Sequence, residues 1–195
     1  MRKSLRLLFF CGIFLYLYVP IAILIINAFN LNRYGLRWDG FTLKWFTAMA
    51  ANPGLMEATR HSLTIAICAA SAATAIGCLA AIGFTRYRFV GRRILQGTLM
   101  TLMMAPDIIL AISLLVLFVG IGIALGFWSL LLSHITFCLP FTVMTVTARL
   151  QGFDRFLLDA ARDLGASEGQ LLRRVVLPLL RPALLSSWLL SFTLS

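Results

Sequence analysis

One carboxylate, Asp107, lies in a long apolar part of the sequence, where a charged side chain is costly to bury. It is the only charged residue between positions 94 and 148, and it directly follows Pro106. Ionisable residues inside a membrane typically mark a substrate or ion pathway. Asp107 is therefore a candidate for attracting a cationic substrate, with Pro106 opening the helix beside it. The alternative, compatible with the first, is that Asp107 caps a helix that restarts after the proline.

The other reactive side chains form no catalytic pattern in the sequence. The four cysteines lie in apolar blocks without metal-ligand spacing, and no Ser/His/Asp or Cys/His arrangement provides a nucleophile. The phosphate-binding pattern GxxxxGK[ST] is also absent from the sequence. We expect a protein that is not an enzyme and needs no metal or cofactor. His61 and His134 are expected to be hydrogen-bonded structural residues.

The composition indicates a membrane protein. The chain has 195 residues, of which 61% are hydrophobic and 12% are charged, with a net charge of +10 and a mean hydropathy of +0.93. Soluble domains usually contain about 25% charged residues, so a soluble fold of this composition would expose large apolar patches. These values exclude an ordinary cytosolic enzyme, a disordered chain and a nucleic-acid-binding protein.

Five apolar blocks predict an all-α bundle of transmembrane helices, since a helix needs about 20 apolar residues to cross a bilayer. The predicted spans cover residues about 7–29, 63–84, 94–119, 127–148 and 177–195. Pro20 is expected as a tolerated kink in the first span. The second span is rich in Ala, Gly, Ser and Thr, which predicts close packing against neighbouring helices.

The distribution of basic residues predicts the orientation of these spans. Most of the 17 Lys and Arg residues fall on one side if the N-terminus is cytoplasmic, as the positive-inside rule requires. The net charge therefore reflects membrane orientation and not nucleic-acid binding. Between the first two spans, a segment with Trp38 and Trp45 is expected at the level of the lipid headgroups.

The charged segment 149–176 is predicted to lie at the cytoplasmic surface. Its apolar residues recur from Phe153 to Leu164 at helical spacing, with charged residues on the other face. Gly165 interrupts this helix, and Ser167 with Gln170 forms a capping box that starts the next one. We expect two short helices that meet at a sharp bend. The alternative is an amphipathic helix that lies on the membrane.

The spacing in this segment resembles the EAA loop of ATP-binding-cassette (ABC) importer permeases. In that family the tripeptide EAA is followed by three residues, a glycine, nine residues and I-x-L-P. Every spacing fits, with Asp159 in place of the glutamate and Val175 in place of the isoleucine. The matching residues, with the two that follow the glycine, are Asp159, Ala160, Ala161, Gly165, Ala166, Ser167, Val175, Leu177 and Pro178.

The resemblance implies the MetI-like permease fold, with segment 149–176 as a coupling loop. In such permeases this loop docks in a groove of a separate ATPase subunit, which hydrolyses the ATP. Asp159 would make a charged contact there, and Arg162, Arg173 and Arg174 would reach acidic residues at the rim of the groove.

Further stretches resemble one branch of the family, the inner-membrane permeases of spermidine/putrescine importers. These stretches are residues 103–109, 125–129, 133–140, 163–167 and 190–195. The resemblance implies polyamine uptake across the bacterial inner membrane, from a periplasmic polyamine-binding protein, with a second permease subunit and two copies of the ATPase. The alternatives are a permease for another solute or a non-functional membrane fragment. Asp107 argues against an anionic solute.

The family pattern also bears on chain length. Such permeases have six spans, whereas the fifth apolar segment here reaches Ser195, the last residue. We therefore expect the sequence to be a fragment or the product of a disrupted gene, truncated within its fifth span.

Overall fold

The computed structural model describes residues 2–195, without the side chains of residues 2–5 and of Arg155. The side chains of Arg2, Lys3 and Arg155, which contribute to the orientation prediction, therefore lie outside the described part. The described residues form α-helices, one π-helical segment and a single isolated bridge between Asn30 and Phe41. The predicted all-α class is confirmed. The helices are α1 (Arg2–Ala28), α2 (Lys44–Ala50), α3 (Pro53–Arg86), α4 (Arg92–Met104), α5 (Asp107–Gly120), α6 (Phe127–Gln151), α7 (Arg155–Asp163), α8 (Glu168–Leu171) and α9 (Leu177–Leu194), with the π-helical segment at Leu172–Val176.

The chain divides into two compact units, the first of which ends at Arg60. Within it, α1 is continuous through Pro20. A folded loop follows and is organised around Asn30, whose relative exposure is only 1%. The Asn30 side-chain oxygen accepts hydrogen bonds from the backbone amides of Asn32 and Asp39, each at 3.1 Å. The indole of Trp45 donates to the Asn30 carbonyl at 2.9 Å.

The second unit, residues 61–195, packs most of α3 through small side chains. Ala69, Ala70 and Ala73 are fully buried. At Gly77 the approach to α6 is so close that an added Cβ would lie 2.5 Å from Cγ2 of Thr142. The predicted close packing of this small-residue span is confirmed, because only side chains without bulk allow two helix backbones to come this near.

Polar contacts inside the bundle join α6 and α9. Oγ1 of Thr142 lies 3.2 Å from Oγ of Ser191, and Sγ of Cys138 donates to the Ser191 carbonyl at 3.5 Å. An apolar cluster at one end of the bundle includes Val146 and Leu180. Buried hydroxyls on facing helices need each other as partners because hydrocarbon offers none.

The apolar stretch over 94–119 does not form one straight helix. Helices α4 and α5 are separated at Ala105 and Pro106 and meet at a bend of 117°. The proline lacks a backbone N–H and disfavours helical geometry in the residue before it. The third predicted span therefore differs from a simple transmembrane helix.

Among the described residues, four helices are long and apolar enough to cross a membrane, and five spans result if the bent α4–α5 pair counts as one. The four are the helix at Arg6–Ala28, the one at Pro53–Arg86, the one at Phe127–Gln151 and the continuous stretch Glu168–Leu194. The last of these begins in the charged segment, so α8, the π-helical segment and α9 form one continuous helix.

Candidate functional site

Asp107 lines a cavity between α5, α6 and α9, with a volume of about 410 Å³. Its walls combine apolar side chains with a few polar ones. The lining residues are Asp107, Leu110, Ala111, Leu114, Ser133, His134, Phe137, Thr193 and Leu194. A cavity with this mixture of apolar walls and convergent polar groups has the character of a small-molecule site.

The α4–α5 break determines where the Asp107 carboxylate lies. Pro106 occupies the N-cap position of α5, Asp107 is its first residue, and no side-chain hydrogen bond caps the helix. The prediction that the Asp107 side chain caps the restarted helix is therefore wrong. A carboxylate in the first turn is nevertheless stabilised by the helix dipole. Pro106 and Asp107 are both exposed within this chain.

His134 is hydrogen-bonded, as expected. Its Nδ1 lies 2.8 Å from Oγ of Ser195, and its side chain is half-buried in the wall of the cavity. Thr193 and Ser133 bring two hydroxyl groups to the same cavity. Together these groups offer hydrogen-bond acceptors in addition to the carboxylate of Asp107.

The second candidate site is the bend between α7 and α8, which we call the coupling bend (residues 154–171). Asp154 caps α7, accepting a hydrogen bond from the Phe156 amide at 2.9 Å. The predicted capping box is confirmed: the Ser167 amide donates to the Gln170 side chain at 3.0 Å, and the Gln170 amide donates to Ser167 Oγ at 3.4 Å. Both short helices are thus fixed by their own side chains.

Gly165 lies at the corner of this bend with a φ of +82°. This left-handed conformation is routine for glycine and strained for most other residues. An added Cβ would meet no atom within 4 Å. The corner therefore needs glycine for its backbone conformation and not for packing within this chain.

The coupling bend is anchored on one side and open on the other. Leu158 of the bend, and Phe153 just before it, pack against the buried apolar cluster of the bundle. In contrast, Phe156 is 81% exposed and Leu164 is 89% exposed. Helical periodicity predicts one apolar face for Phe153, Phe156 and Leu164, whereas the structure packs Phe153 on the bundle and exposes the other two.

The residues that match the EAA pattern divide in the same way. Asp159, Ala160, Gly165 and Ser167 are exposed. The others are half-buried, namely Ala161, Ala166, Val175, Leu177 and Pro178. The first part of the pattern thus presents a surface, and the second part enters the bundle through the π-helical segment, where Val176 is buried.

Charged side chains bridge the coupling bend. Arg162 contacts Asp159 at 3.2 Å and Glu168 at 3.0 Å. The hydrogen bond and the negative charge of Glu168, followed by those of Asp159, raise the pKa of the Arg162 guanidinium above its usual value. A further ion pair joins Glu168 to Arg86 of α3 at 3.2 Å. Because Arg86 touches the bend, the end of α3 and the coupling bend lie on the same side of the bundle.

Sequence reasoning missed three contributors to this surface. The sequence does not indicate Glu168 as part of this surface, Arg86 bears there only on the orientation of the spans, and Leu164 is one of the apolar residues at helical spacing. A signal for Glu168 was present, since it stands one position after a capping serine, where a carboxylate favours a helix N-terminus. Nothing local in the sequence indicates its contact with Arg86.

Comparisons with known proteins agree with this architecture. Residues 73–195 match the model of the family described as "Binding-protein-dependent transport system inner membrane component". The spermidine/putrescine transport system permease protein PotC of Escherichia coli is 56% identical over 99% of this chain and 73% of the relative. PotC of Haemophilus influenzae is 53% identical over 100% of this chain and 76% of the relative.

A third relative extends the comparison to another transport system. The putrescine transport system permease protein PotI of Escherichia coli is 36% identical over 93% of this chain and 67% of the relative. The match to the family model, the relatives and the apolar helices agree with one another. The chain belongs to the family of inner membrane components of binding-protein-dependent transport systems.

Proposed function

We propose that this chain is a permease subunit of an ABC importer that carries polyamines across the inner membrane. The observation that carries the proposal is the cavity lined by Asp107, because this open cleft between α5, α6 and α9 combines a carboxylate with apolar walls. The names of the relatives, which denote spermidine/putrescine and putrescine transport, support the same solute class. ATP hydrolysis belongs to a partner subunit in this proposal.

The chemistry of the cavity suits a polyamine. Spermidine and putrescine are flexible chains of methylene groups with terminal ammonium groups. The Asp107 carboxylate would pair with one ammonium group, while hydroxyl groups such as that of Thr193 accept its remaining hydrogen bonds. Phe137, in the same wall, offers an aromatic face to a cation and to the methylene chain.

The exposure of Asp107 supports a place on the pathway. A charged side chain facing lipid hydrocarbon is unfavourable, so such residues face a water-filled cavity or a protein partner. In the assembled transporter we infer that α5 faces the second permease subunit, with the translocation pathway between the two. Pro106 opens the helix at this point and leaves room for the solute to pass.

The coupling bend is proposed to dock in a groove of the ATPase subunit. Its exposed Phe156 and Leu164 would form the apolar contact surface, and the exposed Asp159, with Arg173 and Arg174 just after the bend, would make the charged contacts. Closure of two ATPase copies would move the bend, and the continuous helix from α8 to α9 would pass the movement into the bundle.

This proposal includes an orientation and further partners. The N-terminus and the coupling bend lie on the cytoplasmic side, where the ATPase is found. A periplasmic polyamine-binding protein delivers the solute from the other side, and membrane lipid surrounds the assembled subunits.

Uptake of radiolabelled spermidine tests the proposal. Cells that lack their own polyamine importers would express this chain together with its partner subunits, and unlabelled putrescine, a sugar, phosphate and ferric ion would serve as competitors. We expect energy-dependent uptake that excess putrescine or spermidine abolishes. Competition by the sugar, the anion or the iron alone would indicate a permease for that other solute. If assembled subunits take up neither spermidine nor any of these other solutes when each is labelled in turn, the chain is a non-functional membrane protein.

A further inference from the structure

A series of ion pairs links four charged side chains, from the end of α3 to the first helix of the coupling bend. Nη1 of Arg86 lies 3.2 Å from Oε2 of Glu168. The other carboxylate oxygen of Glu168, Oε1, accepts hydrogen bonds from Nε and Nη2 of Arg162 at 3.1 and 3.0 Å. Arg162 in turn donates to Asp159 at 3.2 Å. Glu168 is thus the hub, with one oxygen for each arginine.

The burial of these residues is uneven. The side chain of Arg86 is 19% exposed, whereas that of Glu168 is 64% exposed and that of Arg162 is 47% exposed. Arg86 is therefore held by the bundle, and the other members belong to the surface. Nη2 of Arg86 is buried and has no hydrogen-bond partner within the described part of the chain. Glu168 is accordingly the group that neutralises a largely desolvated guanidinium.

These ion pairs connect the coupling bend to α3, a connection that the backbone does not provide. The coupling bend is covalently continuous with α6 before it and with α9 after it. Helix α3 is separated from the bend in sequence by three intervening helices, and the Arg86–Glu168 pair joins the two at the surface. The pair between Arg162 and Glu168 also spans the corner at Gly165 and holds its two sides together.

Stability alone does not account for this arrangement. Exposed ion pairs contribute little to folding because water and salt screen them. A docked ATPase subunit would exclude water from this surface, however, and the same charges would then interact more strongly. The pairs therefore gain strength at the moment when the bend is being moved.

We propose that Arg86, Glu168 and Arg162 are positioning residues that tie the coupling bend to α3, so that movement of the bend is passed to α3 as well as to α6 and α9. This inference rests on the proposed function, since it assumes that an ATPase moves the bend. It assigns the ion pairs a role in coupling ATP hydrolysis to transport, and no role in binding the solute.

A double-mutant cycle on the assembled transporter tests this tie. The variants are Arg86→Gln, Glu168→Gln and the two combined, with Arg88→Gln as the control, because Arg88 is an exposed arginine just after α3, outside the coupling bend, that has no ion pair in the described part. Proteoliposomes give the rate of spermidine uptake, the rate of ATP hydrolysis and the amount of ATPase subunit that co-purifies. Arg86→Lys, which keeps the charge, serves as the conservative variant.

We expect each single variant to retain the ATPase subunit and its hydrolysis but to transport about fivefold less spermidine per ATP, within the range of known coupling effects. The double variant should lose no more than either single one, because both remove the same interaction. Arg86→Lys should retain most of the transport, and Arg88→Gln should equal the wild type.

Three results would contradict the proposal that these ion pairs connect the coupling bend to α3. They are unchanged transport per ATP in both single variants, multiplicative losses in the double variant, or loss of the ATPase subunit from the purified complex. The wild-type reference separates this failure from failure of the proposed function. If the wild-type assembly neither binds the ATPase subunit nor takes up spermidine, the proposed function is wrong and the tie falls with it.

Discussion

Gly165 is the residue whose substitution should disturb the coupling bend most specifically. Its φ of +82° is strained for side chains with a Cβ, while the space around it is open. We expect Gly165→Ala to cost about 1–2 kcal/mol in the bend and to reduce co-purification of the ATPase subunit several-fold. Gly165→Asn should reduce it less, because asparagine tolerates the left-handed region.

Gly169 provides the matched control for this prediction. It lies in α8, its surroundings are equally open, and its φ is not in the left-handed region. Gly169→Ala should therefore leave co-purification unchanged. Equal losses for alanine at both glycines would show that close contact with a partner, and not backbone conformation, requires glycine at the corner.

Asp107 is the second residue for which we predict a specific effect. Asp107→Asn keeps the shape of the side chain and removes its charge, so the cavity should lose its attraction for an ammonium group. We expect initial rates of spermidine uptake to fall by at least about tenfold, which corresponds to about 1.4 kcal/mol. Ser113→Ala on the same helix is the control, because its hydroxyl bonds to the Ile109 carbonyl and lies outside the cavity. Unchanged uptake in Asp107→Asn would remove Asp107 from the pathway.

At the scale of elements, the contact between α3 and α6 is the most sensitive to added volume. A Cβ at position 77 would lie 2.5 Å from Cγ2 of Thr142. We expect Gly77→Ala to destabilise the protein by about 1–3 kcal/mol through overpacking, measured as a lower unfolding temperature in detergent. Thr142→Ser, which removes Cγ2, should restore part of the loss.

The control for this contact lies on the same helix. Gly83 has no atom within 4 Å of an added Cβ, so Gly83→Ala should leave the unfolding temperature unchanged or raise it slightly, since alanine favours helix more than glycine does. Equal destabilisation at both positions would contradict the close approach of α3 and α6.

The sequence predicted those features of the elements that depend on local chemistry. The capping box at Ser167 and Gln170 and the glycine corner follow from backbone hydrogen bonding and φ preference. The close packing of α3 follows from its small residues. The 117° angle at Pro106 could not be predicted in this way, because a proline frees backbone groups without fixing the direction of the next helix.

Features that depend on distant parts of the chain could not be predicted. Periodicity identifies an apolar face from Phe153 to Leu164, but it cannot distinguish a residue that packs on the bundle, such as Phe153, from one that faces outward, such as Leu164. The pairing of Arg86 with Glu168 joins residues far apart in sequence and leaves no local signature. The cavity beside Asp107 likewise requires three helices that only the folded bundle brings together.

At the scale of the whole molecule, the proposed solute cavity is an open cleft between three helices, and it is separate from the contact surface at one end of the bundle. The cavity lies between α5, α6 and α9, and the contact surface is the coupling bend. Helix α9 connects the two sites, because the continuous helix that starts at α8 ends beside the cavity at Thr193. Movement of the bend can therefore reach the cavity through a single helix.

Site-specific photocrosslinking tests the central claim, that the coupling bend is the surface on which the ATPase subunit docks. A photoreactive amino acid would replace Leu164 or Phe156, and a control would carry it at Leu36, which is 88% exposed in the loop after α1. In the assembled, spermidine-transporting complex we predict adducts with the ATPase subunit at Leu164 and Phe156 and none at Leu36. Adducts at Leu36 alone, or none at the bend in an actively transporting complex, would contradict the account.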